Sequence, residues 1–398
     1  MGFAEKVPAG STATARADVL PVKRRQRSRP HICFVAPHAW PVLSRDPHIK
    51  VMGGAEVQQS NLARLFVANG YRVSMVTMDY GQPERSVVDG VTVYKAFAPH
   101  AGLPGLRFLH PRITSMWRAL RAVDADIYYC RSASIWLWLV TEFCRRNGKR
   151  SIYAGASDVD FVPDIGGQVR YARDRWLYRR GLAAADAIVA QNEAQRATCR
   201  EHYGRQAVLI PSCYQLPAAS AAVRLATADD YVLWVAMVQE SKRPELLLDI
   251  AARLPQRRFV MIGGPRPGTE AFYEQIRARA ATLPNVDFKG FLPLAQVEPY
   301  FDGARVFVNT SRYEGMPNTF LQAWARGVPT VATVDVGAPG AYTMFQDADG
   351  AAREIQALCT DEARWRAQSA ACRAYFERKY SPQTVLEQYG EVFEALTA

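Results

Sequence analysis

The sequence predicts an α/β protein that contains two doubly wound parallel sheets. Short apolar runs alternate with amphipathic helical segments along most of the chain, which is the pattern of consecutive βαβ units. This alternation stops at the small and polar stretch 217–222, which is typical of an interdomain linker, and then begins again. The 398 residues are enough for two domains of ordinary size, each with its own core.

Residues 31–215 form the predicted N-terminal domain, and the apolar run 31–35 predicts its first strand. Further strands are predicted at 72–77, 91–94, 127–130, 151–154, 187–190 and 208–210. Helices are predicted between these strands at 55–69, 113–123, 135–146, 171–184 and 193–203, because apolar residues recur there at helical spacing.

Residues 216–380 form the predicted C-terminal domain. Its strands are predicted at 231–235, 259–262, 286–288, 306–308 and 330–333. A helix is predicted to begin at Pro244, since proline suits the first helical turn. Residues 381–398 form a last segment, in which the apolar side chains of 383–396 follow an amphipathic helical pattern.

The composition predicts a soluble, globular, cytoplasmic protein. Hydrophobic residues make up 49% of the chain and charged residues 22%. The apolar run 135–140 is far shorter than the roughly 18 residues that a membrane span requires. The first thirty residues lack the apolar core of a signal peptide. The seven cysteines never occur in C-x-x-C spacing, which argues against a zinc knuckle and for a reducing compartment.

Residues 1–30 are predicted to be a flexible basic leader, with seven basic residues against two acidic ones. Two interpretations remain open for this leader. It is either a solvated tail or a peripheral contact with an anionic membrane, which stabilises binding by about 1 kcal/mol per basic residue. We expect no nucleic-acid partner, because the basic residues are not interleaved with aromatic ones.

The segment 311–330 is the most informative part of the sequence. It follows the predicted buried strand 306–308 and contains a carboxylate, Glu314, before a helical stretch that ends at Gly327. Open α/β sheets bind ligands at the carboxyl ends of their strands. Free amides at a helix start favour an anion, and a neighbouring carboxylate suits sugar hydroxyls. The segment therefore predicts a site for phosphate and sugar together.

This segment resembles the donor-site motif of the retaining glycosyltransferases of family 4. In that motif an acidic residue, seven intervening residues and a second acidic residue mark the donor pocket. Glu314 stands at the first acidic position, whereas Gln322 stands at the second. In the family the second carboxylate binds both ribose hydroxyls, while Gln322 can accept one hydrogen bond and donate another. Ribose binding would then lose its charge assistance.

The resemblance covers roughly residues 31–340 and implies the GT-B architecture, with two Rossmann-like domains and an interdomain cleft. It also implies that the helix in 381–398 crosses back onto the N-terminal domain. The residues implied to bind the donor are Gly315, Met316, Asn318, Thr319 and Gln322. The stretch after 330–333 is shorter than in relatives, so we expect a trimmed last edge of the second sheet.

Lys242 and Arg243 resemble the family's lysine loop, in which a lysine neutralises the leaving diphosphate. A fixed cation there lowers the barrier because negative charge develops as the bond to the sugar breaks. Many relatives place an arginine where this chain has Met237, so Arg243 is the candidate for a second charge. The alternative is a solvated Lys-Arg pair at the start of a helix.

Gly53 and Gly54 precede a predicted helix and resemble the family's Gly-Gly-x-Glu pattern, which lies near the donor diphosphate and the acceptor. Two glycines at a helix start allow backbone amides to approach a ligand closely. The alternative is a plain turn. The first strand is not followed by G-x-G-x-x-G, which argues against a nicotinamide dehydrogenase.

Two further loops of the C-terminal half resemble nucleotide-binding loops of the family. Gly263 and Gly264 end the second strand of this half and resemble the glycine turn beneath the nucleotide. A plain strand-to-helix turn is the alternative. Phe291 and Leu292 belong to a loop that resembles the one whose backbone recognises the nucleobase.

Asp158 follows a predicted strand of the N-terminal half, and we expect it to contact the acceptor hydroxyl as a catalytic residue. A surface loop or a helix cap is the alternative. Together with Asp160 it matches the D-x-D pattern of metal-dependent transferases. The same spacing recurs at 124–126 and 347–349, so the pattern carries little information and we expect no metal.

The resemblance implies a retaining hexosyltransferase that needs no further cofactor. It would move a hexose from a UDP- or GDP-sugar to a saccharide or lipid-linked acceptor, in exopolysaccharide or cell-surface glycan synthesis. Glu314 would stabilise positive charge near the anomeric carbon. The competing hypothesis is a non-catalytic donor-binding or scaffold subunit of a polysaccharide assembly complex. Gln322, Met237 and the short stretch after 330–333 favour that hypothesis.

Overall fold

The computed structural model describes Gly2 and residues 29–45, 53–102, 108–163, 165, 169, 171–216, 230–266 and 268–398. The linker predicted at 217–222 lies outside these ranges, as does the predicted leader apart from Gly2 and residues 29–30. Within the described ranges no helix is both long and apolar enough to pass through a bilayer.

The N-terminal domain has an eight-stranded sheet. Its strands are β1 (Ile32–Val35), β2 (Val73–Thr77), β3 (Arg85–Val88), β4 (Val91–Lys95), β5 (Ile127–Arg131), β6 (Arg150–Ala154), β7 (Ala187–Ala190) and β8 (Val208–Leu209). They lie in the order β3-β4-β2-β1-β5-β6-β7-β8, and the neighbours are parallel except for β3 and β4. The sheet is covered by α1 (Trp40–Ser44), α2 (Gly54–Ala68), α3 (Thr114–Val123), α4 (Trp136–Asn147), α5 (Ala172–Ala184) and α6 (Glu193–Tyr203), with short helical segments at Phe108–Ile113 and Asp158–Phe161.

The C-terminal domain has a six-stranded parallel sheet. Its strands are β9 (Tyr231–Val235), β10 (Arg258–Ile262), β11 (Val286–Gly290), β12 (Ala304–Asn309), β13 (Thr330–Ala332) and β14 (Tyr342–Met344), in the order β11-β10-β9-β12-β13-β14. Its helices are α7 (Pro244–Arg253), α8 (Glu270–Ala281), α9 (Leu294–Asp302), α10 (Asn318–Ala325), α11 (Ala348–Thr360), α12 (Glu362–Tyr380) and α13 (Pro382–Thr397), with a single helical turn at Glu240–Lys242.

The predicted fold class is therefore confirmed: two doubly wound parallel sheets follow each other along the chain. The predicted strands of both halves occur within two residues of their expected bounds. The central strands β1, β2, β5 and β12 are almost completely buried, which is why they are continuous apolar runs in the sequence.

Two edge strands differ from the expectation. The strand β3 was not predicted; it forms the antiparallel edge of the first sheet, and its side chains alternate between exposed and half-buried. The expected trimming of the second sheet is wrong, because β14 pairs with β13 in register from Thr330–Tyr342 to Ala332–Met344. The short stretch after β13 thus still supplies a sixth strand.

The last helix, α13, packs against the N-terminal domain. The rings of Tyr389 and Phe393 meet the ring of Phe66 in α2 edge-on, with centroids 5.5 and 5.3 Å apart. The hydroxyl of Tyr389 lies 3.2 Å from the hydroxyl of Tyr129 in β5. An aromatic cluster therefore attaches the end of the chain to the first domain.

His31, immediately before β1, is a buried titratable group in the N-terminal core, with 5% of its surface exposed. Its Nε2 lies 2.8 Å from the Ser74 hydroxyl, and its backbone N–H donates to Asp126. Burial lowers the pKa of His31 to about 4, with a further lowering by Arg72 and a partial opposing effect of Asp126. The folded protein therefore holds this imidazole neutral.

We expect His31 to make the free energy of unfolding depend on pH between about 4 and 6.5. In that window the unfolded chain binds a proton that the folded chain does not, so this contribution to stability grows as the pH rises. Urea unfolding of the wild type and of His31→Gln across this range measures it. The stability of the wild type relative to the variant should decrease below pH 6.5 and stay constant above pH 7. A difference that does not change with pH would contradict the neutral, buried imidazole.

Candidate active site

A cleft of about 410 Å³ lies between the two domains, at the carboxyl ends of strands from both sheets. This is the edge at which open α/β sheets bind ligands, and the volume is that of a small-molecule site. The predicted site residues that line it are Gly53, Gly54, Lys242, Gly263, Gly264, Phe291, Leu292, Glu314, Gly315, Met316, Asn318, Thr319 and Gln322. The lining does not include Arg243 or Asp158.

Glu314 and Lys242 contact each other in this cleft. The ammonium of Lys242 donates a hydrogen bond to Glu314 Oε1, and the hydroxyl of Ser311 donates to the same oxygen at 2.7 Å. Only 20% of the Lys242 side chain and 16% of the Glu314 side chain are exposed. Such partly buried charges interact more strongly than a surface ion pair. A cation and a carboxylate are thus held side by side at the ligand edge.

Hydrogen bonds between the two loops fix the position of this pair. Thr310, directly after β12, donates to the carbonyl of Lys242 at 2.6 Å and accepts from the indole of Trp234 in β9 at 2.9 Å. The backbone N–H of Arg312 donates to the carbonyl of Ser241 at 2.9 Å. The loop after β9 and the loop after β12 therefore form one unit on neighbouring strands.

Gly263 and Gly264, which follow β10, lie where neighbouring loops leave no room for a side chain. A Cβ built on Gly263 would overlap the carbonyl oxygen of Ala236. A Cβ built on Gly264 would lie 2.9 Å from Cβ of Phe291. Both glycines also line the cleft. The loops after β9, β10 and β11 pass so close together here that this part of the wall is backbone rather than side chain.

An amide chain connects the two walls of the cleft. Asn318, the first residue of α10, accepts from Gln58 Nε2 at 2.6 Å and donates to the carbonyl of Gly54 at 3.3 Å. Gln58, which is 2% exposed, accepts in turn from the backbone N–H of Cys213 at 2.8 Å. The side chain of Asn318 is therefore bound to the N-terminal domain. Gln58 was not predicted, although it lies one turn into the helix that the Gly-Gly pattern begins.

The start of α10 has no side-chain cap, and Asn318 and Thr319 at this start line the cleft. The first amides of a helix lack intrahelical partners, so this end can hold an anion. The loop before it approaches the N-terminal domain closely: a Cβ built on Gly315 would lie 3.7 Å from Asp158 Oδ1 and from Gln195 Nε2.

Asp158 lies beside Gly315, although it is not part of the cleft lining. Its Oδ1 accepts from the amides of Asn192 at 3.1 Å and Gln195 at 3.0 Å. Asp160 of the same D-x-D pattern is completely buried, and burial raises its pKa to about 6. Over the described ranges, no three His, Cys, Asp or Glu side chains gather as metal ligands would.

The second positive charge expected from Arg243 is not in the lining of the cleft. Arg243 precedes Pro244 and has a left-handed backbone, with φ of 48°. Proline disfavours the right-handed helical conformation of the residue before it, and the single helical turn Glu240–Lys242 ends at Arg243. The turn thus presents Lys242, and not its neighbour, to the cleft.

Arg131, which the sequence analysis missed, lines the N-terminal wall and is 8% exposed. Its Nη atoms lie 3.2 Å from the Tyr129 hydroxyl and 3.3 Å from the Ser212 hydroxyl. Its Nε is buried and has no partner within the described part of the chain. A charged residue directly after the apolar run 127–130 was the signal available in the sequence. Met237, where the resemblance led us to expect an arginine, also lines the cleft.

Two family models match the chain. The model described as Glycosyltransferase Family 4 matches residues 52–215, and the model described as Glycosyl transferases group 1 matches residues 229–361. The two matches together cover most of the chain, one for each domain. The chain belongs to the family 4 glycosyltransferases with the GT-B fold.

A curated relative is the D-inositol 3-phosphate glycosyltransferase of Geodermatophilus obscurus, which is 33% identical to this chain over 174 residues. The alignment spans 38% of this chain and 38% of the length of the relative. The similarity thus covers less than half of either protein.

Several solved structures share the fold. Sucrose-phosphate synthase from Thermosynechococcus elongatus has a TM-score of 0.72 at 20% identity, covering 93% of this chain and 99% of its own. HepE from Anabaena, in complex with UDP and glucose, has a TM-score of 0.68 at 15% identity, covering 92% and 99%. A TarM mutant from S. aureus, in complex with Fondaparinux, alpha-GlcNAc-glycerol and UDP, has a TM-score of 0.69 at 11% identity, also covering 92% and 99%. The predicted GT-B architecture is therefore confirmed.

We expect Gly263→Ala to destabilise the protein by at least about 2 kcal/mol, because the added methyl group overlaps the Ala236 carbonyl and the strand ends must move. Urea unfolding measures the change. Gly54→Ala is the matched control, since its methyl group would lie 3.4 Å from Asn318 Nδ2 in ordinary contact. If Gly263→Ala were as stable as Gly54→Ala, that result would contradict the close contact between Gly263 and the Ala236 carbonyl.

Proposed function

We propose that this protein is a retaining hexosyltransferase that uses a UDP- or GDP-sugar as its donor. The observation that carries this proposal is the contact between Lys242 and Glu314 in the interdomain cleft. HepE and TarM are described in complexes with UDP, which supports a uridine diphosphate sugar. The acceptor in this proposal is a saccharide or a lipid-linked saccharide in exopolysaccharide or cell-surface glycan synthesis.

The C-terminal wall would hold the donor. Lys242 contacts the diphosphate and neutralises the charge that develops on it as the sugar departs. The amides at the start of α10 contact phosphate or sugar oxygens, and the glycine backbone of Gly263 and Gly264 permits close approach. Phe291 and Leu292 lie against the nucleobase, and Gln322 contacts the ribose. No further cofactor takes part in this scheme.

Glu314 would act on the sugar. Its carboxylate accepts hydrogen bonds from sugar hydroxyls and stabilises the positive charge that develops near the anomeric carbon. Ser311 and Lys242 hold this carboxylate in position before the donor arrives, so little reorganisation accompanies the reaction. We infer departure and attack on the same face of the sugar, which retains the configuration and needs no enzyme nucleophile.

The N-terminal wall would hold the acceptor. Gly53 and Gly54 lie where backbone can approach the diphosphate and the acceptor, and Asp158 would contact the acceptor hydroxyl from the margin of the cleft. Arg131 gives this wall a buried positive charge, which favours a ligand that carries an anionic group. A basic leader would keep the protein near an anionic membrane that carries a lipid-linked acceptor.

The second candidate function is a donor-binding or scaffold subunit without turnover. Gln322 and Met237 favour it, since both replace charged residues of the family pattern. The two candidates differ in one measurement. An enzyme releases nucleoside diphosphate slowly from its donor even without acceptor, whereas a scaffold binds the donor and releases none.

We expect slow release of UDP or GDP from UDP- and GDP-hexoses by the wild type. Glu314→Gln and Lys242→Met keep the side-chain size but remove the charge, and each should lower the rate about 100-fold or more. Lys149→Met is the matched control, because Lys149 forms an ion pair with Asp124 and does not line the cleft. A coupled assay for free nucleoside diphosphate measures all four proteins.

Two outcomes would contradict the proposal. Release by Glu314→Gln at the rate of the wild type would exclude the role assigned to that carboxylate. Donor binding by the wild type with no release under any condition would favour the scaffold. Loss of activity in Lys149→Met would show that the assay responds to something other than the charges in the cleft.

A further inference from the structure

Gln322, at the position of the family's second carboxylate, is held by a carboxylate from another helix. It is 4% exposed, it lines the cleft, and its Nε2 donates to Glu298 Oε1 at 2.9 Å. An ionised carboxylate only accepts hydrogen bonds, so the amide nitrogen must be the atom that faces Glu298. No residue in the described part of the chain donates to Gln322 Oε1. That oxygen is the part of the amide left for a ligand.

Glu298 is itself fixed on α9 by two further donors. Its Oε2 accepts from the hydroxyl of Tyr214 at 2.6 Å and from the guanidinium of Arg326 at 2.9 Å. Arg326 is 1% exposed, and its Nε also donates to Asp302 at 2.6 Å. Glu298 therefore accepts hydrogen bonds from Tyr214, Arg326 and Gln322. Glu298 itself is not part of the cleft lining.

The charges of Glu298, Asp302 and Arg326 give a physical reason for glutamine, rather than glutamate, at position 322. Glu298 and Asp302 carry two negative charges against the single positive charge of Arg326. A third carboxylate at position 322 would lie within hydrogen-bond distance of Glu298, and two such carboxylates cannot both ionise without a large cost. An amide at this position instead donates to Glu298 and still offers an acceptor to the cleft.

We propose that Glu298 is a positioning residue for the donor's ribose: it orients the Gln322 amide so that Oε1 accepts a hydrogen bond from a ribose hydroxyl. The inference rests on the proposed use of a nucleotide donor. It assigns one hydroxyl of the ribose, 2′ or 3′, to the acceptor Oε1 of Gln322. In the family 4 motif the negative charge lies at position 322. In this chain it lies on Glu298 of α9, which contacts Gln322.

Titration calorimetry with UDP and GDP, each compared with its 2′-deoxy and 3′-deoxy forms, tests this inference. We expect the wild type to bind the ribonucleotide about three- to tenfold more tightly than one of its deoxy forms, which is the effect of a single neutral hydrogen bond. Glu298→Ala releases the amide, so its preference for the ribonucleotide should fall below about twofold.

An exchange of the two side chains makes the test specific. Gln322→Glu alone should bind the ribonucleotide about tenfold more weakly, because two carboxylates would then lie within hydrogen-bond distance of each other. The double variant Glu298→Gln/Gln322→Glu should bind at least as tightly as the wild type. Its amide donates from α9, and its carboxylate faces the ribose.

Asp302→Asn is the matched control. It removes the other carboxylate that contacts Arg326 but does not contact Gln322. We expect it to lower the melting temperature and to leave the preference for the ribonucleotide unchanged. A purely structural role of Glu298 would give Glu298→Ala the same behaviour as Asp302→Asn, which would overturn the inference.

Three other results would also decide the matter. If Gln322→Glu alone bound the ribonucleotide as tightly as the double variant, Glu298 would have no part in orienting the site. If the wild type bound neither UDP nor GDP, the proposed function itself would fail and the inference with it. Nucleotide binding with no coupling between positions 298 and 322 would overturn the inference only.

Discussion

The contact between Lys242 and Glu314 is the interaction on which the site depends, and the sheet determines it. The two residues are 72 positions apart, yet their loops leave the neighbouring parallel strands β9 and β12 at the same edge. Thr310 joins the loops through the carbonyl of Lys242, so the ion pair does not rely on flexible side chains alone. A parallel sheet is thus a direct way to place a cation beside a carboxylate where a ligand enters.

The fold could be predicted from the sequence wherever burial imposes a strong pattern. A strand buried on both faces, such as β1 or β12, must be apolar throughout, and such runs are easily recognised. The edge strands give no such signal. The strand β3 is only half-buried on one face, and β14 has three residues, so both depend on pairing with a neighbour rather than on their own composition.

The site could be predicted where its chemistry lies in one continuous segment. Glu314 and the glycines at strand ends have local patterns, and the structure brings them to the cleft. Sequence alone cannot decide which of two adjacent cations a turn presents to a ligand, and the structure has Lys242 but not Arg243 in the lining of the cleft. Gln58 and Arg131 were missed because their positions depend on contacts with distant segments, through Asn318 and Ser212 respectively.

The departure from the family motif at Gln322 has to be interpreted together with the residues that contact it. Judged alone, the loss of a carboxylate weakens the case for a nucleotide site, since a charge-assisted hydrogen bond is replaced by a neutral one. Judged with Glu298 and Arg326, the same residue belongs to a network in which a second carboxylate already lies in contact with it. A glutamate at position 322 would place a second carboxylate against Glu298. Under the proposed function, Glu298 carries the negative charge that the family pattern has at position 322, and Gln322 keeps an acceptor for the ribose.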